Sequence, residues 1–220
     1  LAPAIGVHNV QIMRANRDMV QESDGFGWTY NHAPMLVWWR GKFYCEYLSD
    51  PRSEHVMPSH TLLTTSEDGY SWSFPEVICP TYKVPDGTVK EGWPASVDRY
   101  AVMHQRMGFY VSKGGRLMAL GYYGIVLGPG DKPVDGKGIG RVIREINDDG
   151  SFGAIYFIHY NNAFNEKNTD YPFYTKSRDK GFVAACREIL GNPLVTDQWA
   201  EESDRGDAII TTPEVYQAMS

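Results

Sequence analysis

The clearest pattern of apolar and polar positions lies between Tyr30 and Trp72. Two strand-like runs, Met35 to Arg40 and Lys42 to Leu48, meet at Gly41, and a third, Thr61 to Thr65, runs into the acidic turn Ser66-Glu67-Asp68-Gly69. In the first run Leu36, Trp38 and Arg40 alternate with Met35, Val37 and Trp39. Both sets are bulky, the pattern of a strand packed on two sides. The order strand, tight turn, strand, loop, strand, acidic turn, aromatic predicts one blade of a β-propeller over about residues 30–80. In the turn, Asp68 can accept backbone N–H bonds, Gly69 can supply a positive φ and Trp72 can pack beneath the hairpin. These are structural duties, so Asp68 reads as scaffold rather than as a reacting group.

The same grammar returns more loosely over about residues 107–160. Gly108 to Lys113 and Arg116 to Tyr123 predict a hairpin across Gly114-Gly115. Arg141 to Ile146 and Phe152 to Tyr160 predict another across Asn147-Asp148-Asp149-Gly150-Ser151, and a Gly/Pro-rich loop, 124–140, separates the two. Residues 81–106 read as irregular. Ahead of the first blade, Val7 to Met13 predicts an edge strand, Arg14 to Asp24 a polar surface excursion and Asp24-Gly25-Phe26-Gly27 a turn. Beyond Asn161 lies an irregular unit, 161–220. Within it, Ser177 to Leu190 predicts a helix with Ser177 as N-cap, Phe182, Ala185, Cys186 and Ile189 on one face and Gly191 as the stop. Leu194 to Glu202 predicts a second short helix, Asp207 to Thr211 a strand, and Thr212-Pro213-Glu214 the start of a helix inside which the chain ends. The fold class is therefore mainly β: one partial β-propeller domain over 1–220, with a helical insertion near 177–202. Two clear blades and an irregular third do not close a ring of about 4 to 8, so the remaining blades are expected from the same or another chain.

Composition narrows the function. The 220 residues are 42% hydrophobic and 13% aromatic, with 14 Tyr and 6 Trp, and this aromatic share suits a sugar-binding cleft as well as packing between sheets. The formal net charge is −6 without any Lys/Arg tract, which argues against nucleic acid as a partner. No apolar stretch approaches the ~20 residues that span a bilayer. The start, LAPAIGVHN, lacks Met and a charged signal region, and it reads as a trimmed terminus of a secreted or periplasmic protein. Cys45, Cys79 and Cys186 show no CxxC or zinc spacing and read as buried free thiols, with one disulfide left open. No two histidines lie at i, i+2 or i, i+4 on a predicted element, so no metal site is expected from them.

The candidate chemistry gathers around two histidines, each just before a strand: His32 in Asn31-His32-Ala33-Pro34 and His60 in Met57-Pro58-Ser59-His60. The turn Ser66-Glu67-Asp68-Gly69-Tyr70-Ser71-Trp72 resembles the Asp-box turn of sialidase-type propellers in its shorter S-x-D-G-x-x-W form. The order of these motifs, followed by Tyr122-Tyr123-Gly124 and Gly138-Ile139-Gly140-Arg141-Val142-Ile143-Arg144-Glu145-Ile146, resembles a group of seven-bladed propeller polysaccharide lyases. These are the ulvan lyases and rhamnose–glucuronate lyases, with related rhamnosidases on the same fold. The likeness covers roughly residues 28–205.

This resemblance implies a lyase that cleaves by β-elimination at glucuronate linked to rhamnose, with His32, His60, Tyr123 and Arg141 as catalytic residues. Elimination removes the proton beside the carboxylate, so that charge must be neutralised. Arg141 can do this with two parallel hydrogen bonds. Tyr123 is then base or acid, and the histidines complete the proton transfer or hold the sugar. Tyr122 and Arg144 are the rivals of Tyr123 and Arg141 and, with Arg116 and Trp93, the candidate substrate-binding residues. His104, His159, His8 and His55 read as ordinary core or surface histidines. The implied partner is a uronic-acid-containing polysaccharide or oligosaccharide. The chemistry requires no cofactor, and a structural calcium is compatible with it. An α-L-rhamnosidase, which would hydrolyse, and a non-catalytic carbohydrate-binding propeller are the alternatives.

Overall fold

The computed structural model describes residues 6, 8–103, 108–133, 137–161, 163–196 and 199. The first blade is a four-stranded antiparallel sheet in chain order: β1 (Tyr30–Trp39), β2 (Lys42–Asp50), β3 (His60–Ser66) and β4 (Glu76–Cys79). The second holds β5 (Val102–Met103), β6 (Gly108–Val111), β7 (Leu117–Gly124), β8 (Gly140–Ile146) and β9 (Tyr156–Tyr160). Met103 lies opposite Tyr123 and Gly108 opposite Leu120, so β5 and β6 bond successive stretches of β7 and together take the place that β1 has in the first blade.

Strand alternation sorts the side chains into layers. Tyr44, Leu63 and Ile78 of the first sheet meet Leu117, Ala119 and Ile146 of the second, while Leu48 and Cys79 meet Tyr123, Val142 and Phe157. The opposite face of the first sheet carries Cys45, Tyr47 and Leu62, covered by Met13 and Trp72. The opposite face of the second carries Met118, Leu120, Ile143 and Ile158. Helix α1 (Lys180–Leu190) lies on it through Phe182, Ala185, Cys186 and Ile189. Two-sided burial explains why neither sheet reads as a simple apolar–polar alternation. The three thiols are buried and free.

Several local expectations change. No strand forms among the described residues 8–13; that segment instead lays Met13 against the first sheet. The cap of α1 is Asp179 rather than Ser177: its carboxylate accepts the N–H groups of Gly181 at 2.8 Å and Phe182 at 3.1 Å, while the Ser177 hydroxyl accepts from Asp179 N. An ionised cap outbids a hydroxyl at the positive end of the helix dipole. Of the second short helix, the described residues hold α2 (Pro193–Thr196), and positions 197, 198 and 200–202 lie outside them. The strand expected at 207–211 and the helix expected from Thr212 lie outside the described residues. No described helix is long and apolar enough to cross a membrane.

The two ends of the sheets differ. One carries the turns 40–41 and 112–116 and the acidic connections 67–75 and 147–155, and these are tied together. Trp39 Nε1 donates to Gly115 O at 3.0 Å, and Arg40 pairs with Asp148. In the first acidic turn Asp68 Oδ1 accepts from Tyr70 N at 2.8 Å and Ser71 N at 2.7 Å, and Trp72 Nε1 donates to Gly69 O at 3.1 Å. These bonds pull the Asp68 carboxyl down to about 2. The second turn repeats the device, with Asp149 accepting from Ser151 N at 2.9 Å. The other end carries the connection 51–59 and the two longest ones between strands, 80–101 and 125–139.

Candidate functional site

Register decides where the four expected catalytic residues stand. His32 pairs with Leu48 and His60 with Ser49. Leu48 and Ser49 are neighbours on β2 and point to opposite faces, so the two histidines do too. Tyr123 shares the face of Leu117 and Ala119, whereas Arg141, opposite Tyr122, lies on the side of α1. His32 and Tyr123 thus belong to the layer between the blades, and His60 and Arg141 to the two outer layers. The structure does not bring the four together.

Their surroundings are those of packed side chains. Tyr123 is fully buried, donates its hydroxyl to Pro80 O at 2.7 Å and stacks on Tyr82; burial pushes its pKa well up. Arg141 is fully buried, with its guanidinium over the rings of Tyr122 and Trp199. His60 is buried beneath Trp28, ring centroids 4.0 Å apart, with Phe26 edge-on; burial pushes its imidazole down to about 4 against the pull of Asp24. Of the four, only His32 is partly open, beside the ring of Tyr30.

The expected substrate contacts fare similarly. Tyr122 donates to Pro133 O inside the core, and Arg144 spans the blades by bonding Gly153 O and Ile78 O. Arg116 sits at the turn-bearing end, held by Glu145 and Asp179 at 2.7 and 2.8 Å. Trp93 packs on Gly128, where a Cβ would stand 2.2 Å from the ring.

The long-loop end holds what they lack: an open cleft of about 720 Å³ between the 51–59 and 125–132 segments. Arg52, Glu54, His55, Val56 and Met57 line one side, and Val126, Gly128, Pro129, Gly130, Asp131 and Lys132 the other, with Arg99 between them. Asp131 is paired with buried Lys90 at 2.7 Å. Three lining cations, Arg52, Arg99 and Lys132, therefore face one lining carboxylate, Glu54, that Lys90 does not hold. The Glu54 carboxylate reaches the Tyr30 phenol, whose pKa is raised first by burial and then by Glu54 and Asp50. Beneath the rim, Asp50 is fully buried and accepts His55 N at 3.1 Å. Burial pushes its carboxyl up to about 7, against the Ser59 hydroxyl and that N–H. His55 takes a left-handed φ of 64°, strain of about 1–3 kcal/mol of the kind that gathers at functional sites. Among the described residues no group of three or more His, Cys, Asp and Glu could hold a metal ion.

None of the lining residues was among the expected site. The signals were the charged run Arg52-Ser53-Glu54-His55 after a strand apex and the tight loop Gly128-Pro129-Gly130-Asp131-Lys132.

Comparisons with known proteins agree on the fold. A family model described as BT_1020-like, N-terminal beta propeller, matches residues 1–216. A solved structure described as "Sialidase" is 60% identical with a TM-score of 0.91, covering 96% of this chain and 20% of its own. The present chain thus spans about a fifth of that protein. More distant are a protein of unknown function from Dyadobacter fermentans, at 19% identity and TM-score 0.39 over 66% of this chain and 38% of its own, and a xylan β-1,4-xylosidase from Bacillus halodurans, at 17% and 0.36 over 60% and 21%. A search of curated proteins gives no match. These findings correct the expectation of a lyase. The structure sharing 60% of the sequence bears the name of a hydrolase, and the ulvan lyase type finds no support beyond the shared propeller.

Proposed function

We propose, proceeding from the fact that the chain belongs to the BT_1020-like N-terminal beta-propeller family, that it forms part of a glycoside-hydrolase propeller whose long-loop cleft takes a carboxylate-bearing sugar. One observation carries the reading: three cations, Arg52, Arg99 and Lys132, line the cleft while Lys90 pairs with and offsets the charge of its Asp131. Guanidinium groups bind carboxylates through paired, charge-assisted hydrogen bonds. The name of the relative supports the same chemistry, since a sialidase hydrolyses glycosides of an acidic sugar. Most glycoside hydrolases use a pair of carboxyls, and sialidases use a tyrosine in place of the carboxylate nucleophile. At this cleft Glu54 lines the rim while Asp50 lies buried beneath it, so Glu54 is the carboxyl placed to meet a sugar.

The test is calorimetric binding of 3′-sialyllactose and lactose to the full-length protein, alongside an assay for released sialic acid. The carboxylated sugar is expected to bind more than about tenfold tighter, and Arg52→Ala or Arg99→Ala to remove about tenfold each, roughly 1.4 kcal/mol. Equal binding of the two sugars would sink the reading.

A further inference from the structure

We infer that Lys90 is the positioning residue of this cleft, an inference that rests on the reading of the cleft as a carboxylate-sugar site: its ammonium group fastens the 125–132 loop and so sets where Lys132 and the Gly128–Gly130 wall stand. Lys90 is 4% exposed and does not line the cleft. Its Nζ donates to Ile125 O and Lys132 O, both at 2.9 Å, and meets Asp131 Oδ1 at 2.7 Å. Asp131 turns back on the same loop, accepting Leu127 N at 2.7 Å and Lys132 N at 2.9 Å.

One ammonium group and one carboxylate thus satisfy both ends of the loop, at Ile125 and at Lys132, and its first turn at Leu127. The loop supplies half of the cleft lining, and a loop ordered before binding costs less to order on binding. Lys90 lies on the 80–101 connection, so the same contact fixes the spacing between two long loops. It also removes the Asp131 charge from competition with an anionic ligand. A lysine suits the place because its three donors diverge toward two carbonyls and a carboxylate, whereas an arginine fork is planar.

The test compares wild type with Lys90→Met/Asp131→Asn, which removes the pair without stranding a charge, in the full-length protein. Hydrogen exchange over 125–132 is expected to quicken about tenfold while that of β7 is unchanged. The KM for 3′-sialyllactose is expected to rise about tenfold with kcat within about twofold. Lys90→Arg is expected to fall between the two, and it carries the comparison if the double variant does not fold. Unchanged exchange and KM would overturn the inference, as would a loss confined to kcat. If wild type itself does not prefer the carboxylated sugar, the proposed function falls; faster loop exchange in the variant then still upholds the role of Lys90, and unchanged exchange overturns it.

Discussion

The turn-bearing and loop-bearing ends of the same two sheets solve the same problem, how to close antiparallel strands, in opposite ways. At the turn end the acidic connections hold themselves: Asp68 and Asp149 accept the N–H groups of their own turns, and the Arg40–Asp148 pair joining two turns is more than half exposed on both sides. At the loop end, charged groups are buried to hold the connections. Lys90 and Asp131 are almost wholly out of solvent, Asp50 is fully buried, and His55 is held in a left-handed conformation. An end that must present varied side chains to a ligand cannot be built from self-satisfied turns, and its loops need support from below.

Breaking one ion pair at each end sharpens the contrast. Lys90→Met alone leaves the Asp131 carboxylate buried and uncompensated, and this is expected to cost about 3–5 kcal/mol. Arg40→Ala removes an exposed pair and is expected to cost about 0–1 kcal/mol. Denaturant melts of the two variants measure the difference. Similar losses would mean that the two ends are not built differently.

The next effect depends on pH. The Asp50 carboxyl is held up to about 7 in the fold, against about 3.9 in an unfolded chain. Between these values the native state keeps a proton that the unfolded state has released, so this group's contribution to stability falls as pH rises from about 4 to 7 and stays low above that. The full loss is at most about 4 kcal/mol. Asp50→Asn keeps an acceptor for His55 N–H but cannot ionise. Its melting temperature is therefore expected to exceed that of wild type by more at pH 8 than at pH 5. Parallel profiles would show that Asp50 ionises in the fold as it does in water.

The division between the ends also explains what the sequence could show. The turn end was legible because its parts are local: S-x-D-G-x-x-W names the acceptor, the positive-φ residue and the packing ring within one short stretch. The strands were legible from their runs and from the glycines between them. The candidate site was not, because it depends on register and on distant partners. Nothing in the string tells that His32 pairs with Leu48 while His60 pairs with Ser49, and that single step of register puts the histidines on opposite faces. Nor can Lys90 be matched with Asp131 across 41 positions by any local rule. The packing of Tyr123 and Arg141 was hidden for a related reason. A strand buried on both faces carries tyrosine and arginine inward, where hydroxyl-to-carbonyl bonds and ring stacking satisfy them, and in sequence such residues look the same as reacting ones.

A small effect is expected at the first acidic turn, and there the comparison can be broken outright. Gly69 has a φ of +77°, and a Cβ there would stand 3.4 Å from the Phe43 ring. Gly69→Ala should therefore cost about 1 kcal/mol from backbone conformation, with sugar binding unchanged. Asp68 adds an acid limb with the opposite sign to that of Asp50. Its carboxyl is pulled down to about 2 by the N–H groups of Ser71 and Tyr70, so its contribution is complete above about 4 and is lost as pH falls through about 2. Asp68→Asn keeps one acceptor oxygen and should flatten that part of the acid melt. If either variant weakened the binding of 3′-sialyllactose at neutral pH, the turn end would be coupled to the cleft through the sheets, and the separation of scaffold from site would fail.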